Sequence, residues 1–216
     1  MGMKIGVMGT GVVGQVLGSA LAGLGHEVMM GSRDAGNPKA LEWEAKTARG
    51  SRSGTFADAA RFGELIVLAT LGTATEDVVK LAGAANLAGK EVMDTTNPLV
   101  QAEGGIPKLA FGFDDSLGER VQRLAPQASV VKCFNTVGNA RMVQPKYAAG
   151  RPDMFICGND ENAKRSVTLV CDSLGWGVVD LGGIDCSRLL EPMALVWIYH
   201  GIRTRSWTHA FKLLQT

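Results

Sequence analysis

The sequence has no excess of charge of either sign and no closely paired cysteines. Lysine and arginine total 22, and aspartate and glutamate total 21, which leaves a net charge of +1. A nucleic-acid partner is therefore not expected, because such proteins carry a strongly basic surface. The four cysteines show no C-x-x-C spacing, so we expect neither a zinc site nor a redox dithiol. We predict buried free thiols at Cys133, Cys157, Cys171 and Cys186.

Long apolar runs are absent as well. The nearest candidate, residues 193–199, falls far short of the roughly 18 uncharged residues that a membrane helix needs. The chain passes from Met1 and Lys4 directly into a strand-like segment, without the apolar stretch and cleavage site of a secretory signal. We therefore expect a cytoplasmic protein with no membrane partner.

Histidine is rare, with three residues in the chain. His26 lies at the start of a predicted strand, whereas His200 and His209 stand apart without a partner motif. We therefore predict neither a metal site nor an acid–base dyad at these positions.

Glycine, by contrast, is abundant: it supplies 28 of 216 residues, close to twice the roughly 7% of average proteins. Short apolar runs alternate with helical patterns along most of the chain. This alternation is typical of a mainly parallel sheet covered by helices on both faces, so we predict an α/β fold. The predicted strands cover residues 3–8, 27–30, 65–69, 91–94, 129–132, 154–157 and 177–180, and the clearest helices cover residues 12–24 and 159–174, the latter capped by Asn159 or Asp160.

Two regions depart from this alternation. Residues 101–115 are the least regular, and we predict a long surface loop of the kind that often covers an active site. After Asp185 the pattern is helical only, and its second helix is predicted from the spacing of Trp207, Ala210, Phe211 and Leu214. We predict a main domain over residues 1–183 and C-terminal helices over 184–216, which pack either on the sheet or on a second copy of the chain. We favour a homodimer.

The most informative segment is a G-x-G-x-x-G motif between the first predicted strand and the first helix. Gly9 permits a tight turn, Gly11 lets the backbone approach a pyrophosphate, and Gly14 allows close packing of helix on strand. The helix N-terminus presents free N–H groups to the anion. We predict a dinucleotide site and a Rossmann-type, doubly wound sheet; a purely structural glycine turn is the alternative. The motif reads Gly9, Thr10, Gly11, Val12, Val13 and Gly14.

The end of the second strand indicates which dinucleotide binds. Ser32 and Arg33 follow that strand and are suited to a 2′-phosphate, which a carboxylate at the same place would repel. Lys39 adds positive charge nearby. We therefore favour NADP, and hence NADPH, over NAD. Asp34 leaves an alternative open, because it could either accept the ribose hydroxyl of NAD or serve as a turn residue.

Three further strand ends would border the same cleft, because ligands of open α/β sheets lie at the carboxyl ends of the strands. Their small, hydroxyl and amide residues suit hydrogen bonding to a nicotinamide and its ribose. Ordinary turn chemistry is the alternative, especially where Asn97 precedes a proline. The predicted residues are Ala69, Thr70, Asn97, Asn135 and Thr136.

With these residues in place, the chain resembles the NADPH-dependent coenzyme F420 reductases and the related oxidoreductase domains of the STEAP metalloreductases. The resemblance spans nearly the whole chain. It implies that Thr10 and the backbone after it hold the pyrophosphate and that Ser32 and Arg33 hold the 2′-phosphate. It also implies that Ala69, Thr70, Asn97 and Asn135 lie along the nicotinamide. The motifs that carry it are residues 9–14, 31–33, 96–98, 132–137, 157–160 and 188–192.

The sequence departs from this family at the phosphate clamp. The F420 reductases carry a second basic residue where this chain has Asp34, and a lysine near Asn37. The clamp is therefore only partly present. No motif distinguishes F420 from FAD, FMN or another small-molecule redox acceptor.

The resemblance implies hydride transfer between NADPH and a flavin-type acceptor, with F420 favoured. Such transfer asks the protein for distance and orientation, not for acids or bases, so no catalytic side chain is predicted. A flavin or ferric reductase and a non-catalytic NADPH-sensing module remain alternatives. A hydroxy-acid or imine dehydrogenase is disfavoured, because the segment after Asp185 is too short for the long helical domain of those enzymes.

Overall fold

The computed structural model describes residues 2–47 and 50–214. Ten strands and eight α-helices lie within these residues. The strands are β1 (Lys4–Met8), β2 (Glu27–Ser32), β3 (Arg52–Thr55), β4 (Leu65–Leu68), β5 (Glu91–Asp94), β6 (Leu99–Gln101), β7 (Pro107–Leu109), β8 (Ser129–Lys132), β9 (Asp153–Gly158) and β10 (Gly177–Asp180). The helices are α1 (Val12–Gly23), α2 (Pro38–Lys46), α3 (Phe56–Phe62), α4 (Thr75–Ala82), α5 (Ala84–Leu87), α6 (Leu117–Leu124), α7 (Glu161–Ser173) and α8 (Ser187–Thr204).

Eight strands form one sheet in the order β3, β2, β1, β4, β5, β8, β9, β10. All neighbours from β3 to β8 pair in parallel, and β9 and β10 are parallel to each other. β9 runs antiparallel to β8, so the carboxyl ends of these last two strands lie at the opposite edge. The predicted α/β fold with a mainly parallel, doubly wound sheet is confirmed.

Both faces of the sheet are covered, which explains why its central strands are apolar without alternation. Leu65 and Val67 of β4 belong to the core beneath α1, α2 and α7. Ile66 and Leu68 of the same strand belong to the core beneath α3, α4 and α6. Successive residues thus enter opposite cores because side chains alternate across a strand.

The structure adds three strands that the sequence pattern did not reveal. β3 pairs with β2 at the edge of the sheet and has no apolar run. It ends at Thr55, which forms a capping box with Asp58 and so starts α3. β6 and β7 form a hairpin across a turn that contains Gly104 and Gly105, both with positive φ. The prediction of one long loop over residues 101–115 is therefore wrong for its first half.

The second C-terminal helix is also not present. α8 ends at Thr204, its C-cap residue Arg205 has a φ of 54°, and residues 206–214 follow without helical structure. This segment runs along the start of β9, where Phe211 O accepts a hydrogen bond from Asp153 N (3.0 Å). Leu213 N donates to the Asp153 carboxylate (2.8 Å). Trp207 packs on Gly201 of α8 without belonging to a helix, and its side chain stays 45% exposed.

Three of the four cysteines are buried. Cys133, Cys157 and Cys171 are buried free thiols, as predicted, whereas Cys186 is half-buried. Burial raises the pKa of the Cys157 thiol to about 12. In the described part of the chain, none of the helices combines the length and apolar character that crossing a bilayer requires.

Candidate functional site

The carboxyl ends of five neighbouring strands meet at one edge of the sheet. Met8 of β1 pairs in register with Gly31 of β2 and with Leu68 of β4. Leu68 pairs with Asp94 of β5, which in turn pairs with Lys132 of β8. The loops that follow these strands therefore lie side by side, where ligands of open α/β sheets bind.

The glycine motif forms the turn between β1 and α1. Gly9 has a φ of 130° and its N–H donates to Gly31 O (3.1 Å). A Cβ atom on Gly9 would lie 2.2 Å from Ala69 O, and one on Gly14 would lie 2.1 Å from Gly9 O. A Cβ atom on Gly11, in contrast, would meet no heavy atom within 4 Å. Packing within the chain thus requires the first and third glycines but does not explain the second.

The N-terminus of α1 is open beside Gly11. Gly11 is the N-cap residue and has no side chain with which to cap the helix, and the first turn carries no acidic residue. Val12 is 61% exposed, Val13 is half-buried, and Thr10 is held through its carbonyl by the Gln15 amide (3.0 Å). The first N–H groups of the helix are therefore available to an anion.

The end of β2 carries cations that face solvent. Arg33 and Lys39 are both exposed, and neither forms an ion pair within residues 2–47 and 50–214. The Asp34 carboxylate accepts a hydrogen bond from Gly36 N (2.8 Å), so this aspartate acts as a turn residue. Ser32 is buried and its hydroxyl donates to Asp34 O, a bond that it would exchange in order to bind a phosphate.

The end of β4 contacts the glycine turn on one side and the loop after β5 on the other. Ala69 is buried, and its N–H donates to Met8 O (2.9 Å). The hydroxyl of the half-buried Thr70 lies 2.9 Å from that of Thr75. A Cβ atom on Gly72 would lie 1.8 Å from Asn97 O, so the two loops pack backbone against backbone.

Asn97 and Asn135 are bonded to each other across the ends of β5 and β8. Asn97 Nδ2 donates to Asn135 O (2.7 Å), and Asn135 Nδ2 donates to Asn97 Oδ1 (3.0 Å) and to Leu190 O (2.8 Å). Asn97 thus bridges two loops instead of stabilising only its own turn. Asn135 is 4% exposed, and its Oδ1 has no hydrogen-bond partner among the described residues. Thr136, next in the chain, is also buried.

Sequence reasoning missed a buried ion cluster behind these amides. Lys132 Nζ lies 2.7 Å from Asp94 Oδ2 and 2.9 Å from Glu191 Oε1, and all three side chains are at most 1% exposed. Burial would lower the pKa of Lys132, but the Asp94 and Glu191 carboxylates outweigh this effect and hold it above the ordinary value. The sequence did contain a signal for this cluster. The apolar strands β5 and β8 each end in a charged residue, and the apolar helix α8 contains a glutamate.

Two surface cavities, both open to solvent, lie away from the groove that the strand ends border. One cavity of about 370 Å³ is lined by Asp115, Arg120 and Arg123, whose charges already pair with one another. A second, of about 450 Å³, lies near Asn159, at the opposite edge of the sheet. Neither includes a residue predicted to bind the nucleotide.

Comparison with known proteins shows the family to which the chain belongs. Residues 4–98 match the family described as NADP oxidoreductase, coenzyme F420-dependent. A solved structure from Arthrobacter sp. FB24, described as a candidate F420-dependent NADP-reductase, is 40% identical to this chain. It covers 99% of this chain and 100% of its own, with a TM-score of 0.92. The chain belongs to this family. The predicted resemblance to F420 reductases is thereby confirmed.

Two further proteins are similar to this chain. The F420-dependent NADP reductase of Methanocaldococcus jannaschii is 29% identical over 94% of this chain and 95% of its own length. Metalloreductase STEAP3 of Rattus norvegicus is 29% identical over 89% of this chain but only 36% of its own length. The similarity to STEAP proteins, also predicted, is thus limited to about a third of that protein.

Proposed function

We propose that this protein transfers a hydride between NADPH and coenzyme F420. The observation that carries the nucleotide part is Gly11, which has open space around it beside an uncapped helix N-terminus. A pyrophosphate there would receive the N–H groups of Val12, Val13 and Gly14, with Thr10 beside it. The F420 part rests on family membership and on relatives named as F420-dependent NADP reductases.

The preference for NADP over NAD rests on the end of β2. The exposed cations of Arg33 and Lys39 supply charge for a 2′-phosphate, and Ser32 supplies a hydroxyl. Asp34, which would repel that phosphate, is directed into its own turn by its bond to Gly36 N. The alternative that Asp34 selects NAD is therefore not favoured.

The nicotinamide end would lie along Ala69, Thr70, Asn97, Asn135 and Thr136. The fit is supported by Asn135 Oδ1, a buried acceptor that lacks a partner within the described residues. Such an atom is costly unless it is satisfied, and a carboxamide N–H is a suitable donor. The backbone of Ala69 would lie between this amide pair and the pyrophosphate turn.

NADPH supplies a hydride from its nicotinamide ring when it is bound. Reduction of F420 also takes up one proton, which solvent supplies. The side chains described above would bind and orient the coenzymes and need not transfer that proton. Asn97 and Asn135 would hold the ring, the glycine turn would hold the pyrophosphate, and Arg33 would hold the adenosine end. Rate enhancement would then come from distance and orientation, which are worth several kcal/mol in well-ordered sites, of the order of 7–11 at the extreme.

A second candidate function is reduction of a flavin or ferric acceptor. The similarity to Metalloreductase STEAP3 favours it, because the match covers most of this chain. FAD, FMN and ferric complexes would use the same NADPH site, so the groove alone does not distinguish them from F420.

The test is anaerobic oxidation of NADPH by the purified protein with F420, FAD or FMN supplied one at a time and followed by absorbance. The proposal expects turnover with F420 and little or none with the flavins. Turnover confined to flavins would favour the second candidate. Tight NADPH binding without turnover of any acceptor would contradict both and indicate an NADPH-sensing module. The Gly11→Val variant is the matched control, because it retains every side chain near the nicotinamide end.

We also propose that the protein acts as a homodimer through α8. Leu189, Val196 and Tyr199 are 60%, 60% and 49% exposed and lie on one side of that helix. A second copy of the chain would cover this apolar surface. In this proposal residues 1–183 form the nucleotide-binding domain and residues 184–216 an extension, and a cytoplasmic location stays a prediction from the sequence.

A further inference from the structure

The ion cluster fixes the residue that precedes Asn97. Lys132 Nζ donates to Thr96 O (2.9 Å). Thr96 N and Thr96 Oγ1 both donate to Asp94 Oδ1, at 2.9 Å and 2.7 Å. Thr96 is 2% exposed, and each of its polar atoms is hydrogen-bonded to the buried Asp94 or Lys132.

The same cluster is bonded to α8 through Glu191. The Glu191 carboxylate contacts Lys132 and accepts hydrogen bonds from Leu117 N (3.0 Å) and Gly118 N (3.1 Å) at the start of α6. Its neighbour in the helix, Leu190, accepts the hydrogen bond from the Asn135 amide. Two adjacent residues of α8 therefore hold Lys132 and Asn135 at fixed positions relative to each other.

These contacts close a ring through β5, β8 and α8. Because each link is a hydrogen bond, an ion contact or a step along the chain, the amides cannot shift without breaking a buried polar contact. The ring passes through Asp94, Thr96, Asn97, Asn135, Leu190, Glu191 and Lys132.

Stability alone is a weak explanation for such a cluster. Removing three charged groups from water is costly, and replacing buried ion pairs by apolar residues often leaves stability unchanged or raises it. Two carboxylates share one ammonium here; the N-terminus of α6 adds further positive potential at Glu191, and two Thr96 donors bond Asp94. A role in fixing geometry accounts for charges at this one place in the sheet.

We infer that Lys132 and Glu191 are positioning residues for the nicotinamide, which they orient through the Asn97–Asn135 amide pair. The inference rests on the proposed NADP-linked function and extends it to residues outside the nucleotide motif. Loosening the ring would weaken the contacts at the nicotinamide end and leave the pyrophosphate turn and the cations after β2 unchanged.

The test compares the affinities of NADPH and of 2′-phospho-ADP-ribose, which lacks the nicotinamide, by titration calorimetry. Glu191→Gln is the main variant because it keeps the shape of the side chain; Lys132→Met is the stronger variant. Lys164→Met is the matched control, because Lys164 is also buried and lies 2.7 Å from both Glu161 and Asp180, remote from the strand-end groove.

We expect the wild-type protein to bind NADPH more tightly than 2′-phospho-ADP-ribose. Glu191→Gln should lower the affinity for NADPH by about tenfold, the scale of one hydrogen bond, and change that for 2′-phospho-ADP-ribose by less than about twofold. Lys164→Met should change neither. Lys132→Met should show the same selective loss, provided that its circular dichroism spectrum remains that of a folded protein; if it does not fold, Glu191→Gln decides.

Equal losses of both ligands in Glu191→Gln would overturn the inference, since they would indicate a general effect on the fold. So would equal affinities of the two ligands for the wild-type protein. The titrations use no hydride acceptor, so they can succeed even when F420 is not turned over. That combination would refute the proposed function and leave the positioning role standing.

Discussion

Gly9, Gly11 and Gly14 belong to one motif but are glycine for different reasons. A side chain at Gly9 or Gly14 would collide with backbone oxygens at 2.2 Å and 2.1 Å, whereas one at Gly11 would enter open space. We therefore expect Gly11→Val to unfold at the same denaturant concentration as the wild type but to lose binding of NADPH and NADH alike. Calorimetric titration together with urea unfolding measures both quantities.

The matched comparison is Gly14→Ala, which adds one methyl group against the backbone. It should lower the free energy of unfolding by about 1–3 kcal/mol, the usual range for overpacking. If Gly11→Val bound NADPH normally, the pyrophosphate would not lie at this turn.

Arg33 carries the preference for NADP in this account. Arg33→Ala should weaken NADPH binding by about 1.5–3 kcal/mol, the scale of a hydrogen bond to a charged group, and leave NADH binding nearly unchanged. Titration with both nucleotides measures the difference. Arg165→Ala, at an exposed arginine of α7, is the control and should affect neither. Equal losses of NADPH and NADH affinity would show that Arg33 does not bind the 2′-phosphate.

Single residues also show where the sequence was informative about the site. The glycine motif and the cations after β2 were predictable because they are contiguous in the chain. The pairing of Asn97 with Asn135 and the contact of Lys132 with Glu191 join residues far apart in sequence. Their partners depend on the order of β5 and β8 in the sheet and on the path of α8, which no local pattern specifies.

At the scale of the elements, His26 connects the residues that precede β1 and β2. His26 Nδ1 accepts a hydrogen bond from Met3 N (3.1 Å), which requires an unprotonated Nδ1. Partial burial lowers the pKa of His26 below its ordinary value of 6.5. As the pH falls, His26 is therefore protonated earlier in the unfolded chain than in the folded protein. Its contribution to the free energy of unfolding is fully present above about pH 6.5 and is lost as the pH falls below that value.

We expect the free energy of unfolding of the wild type to decrease between pH 7.5 and pH 5.5 by more than that of His26→Gln. Glutamine keeps an acceptor at this place but does not titrate. Urea unfolding at the two pH values measures the difference. Identical decreases in both proteins would show that another group controls this range.

Strands with apolar residues were predictable from the sequence, including β10 at one edge of the sheet, whereas a strand without them was not. β4 and β5 are buried on both faces, and their apolar runs gave their positions closely. β3 has only one neighbouring strand, and its residues Arg52–Thr55 carry no hydrophobic signal. Residues 207–214 have helical spacing but an irregular backbone, from which Trp207 contacts α8 and Phe211 contacts β9 while Leu214 is 82% exposed. Helical spacing of apolar residues indicates which side chains can pack together, but tertiary contacts decide whether the backbone there forms a helix.

The exposed side of α8 determines the expected assembly of the whole molecule. Val196 lies in the middle of that side and is 60% exposed. Val196→Glu should weaken self-association by at least about tenfold, or about 1.4 kcal/mol, because it places a charge in an apolar interface. Sedimentation velocity over a range of concentrations measures this change.

Leu169→Glu is the control for the assembly. Leu169 is 71% exposed on α7, away from α8, and should leave self-association unchanged. A wild-type protein that sediments as a monomer at tens of micromolar, roughly the range in which weak dimers form, would exclude the dimer.

The central claim for the molecule is direct hydride transfer within the strand-end groove. The most direct test is a single anaerobic turnover of F420 with NADPH that carries deuterium at both positions of nicotinamide C4, followed by mass spectrometry of the reduced F420. The account predicts that the product gains one deuterium on its ring, since the hydride passes between the two coenzymes without exchange with water. Reduced F420 that contains only protium from solvent would contradict direct transfer.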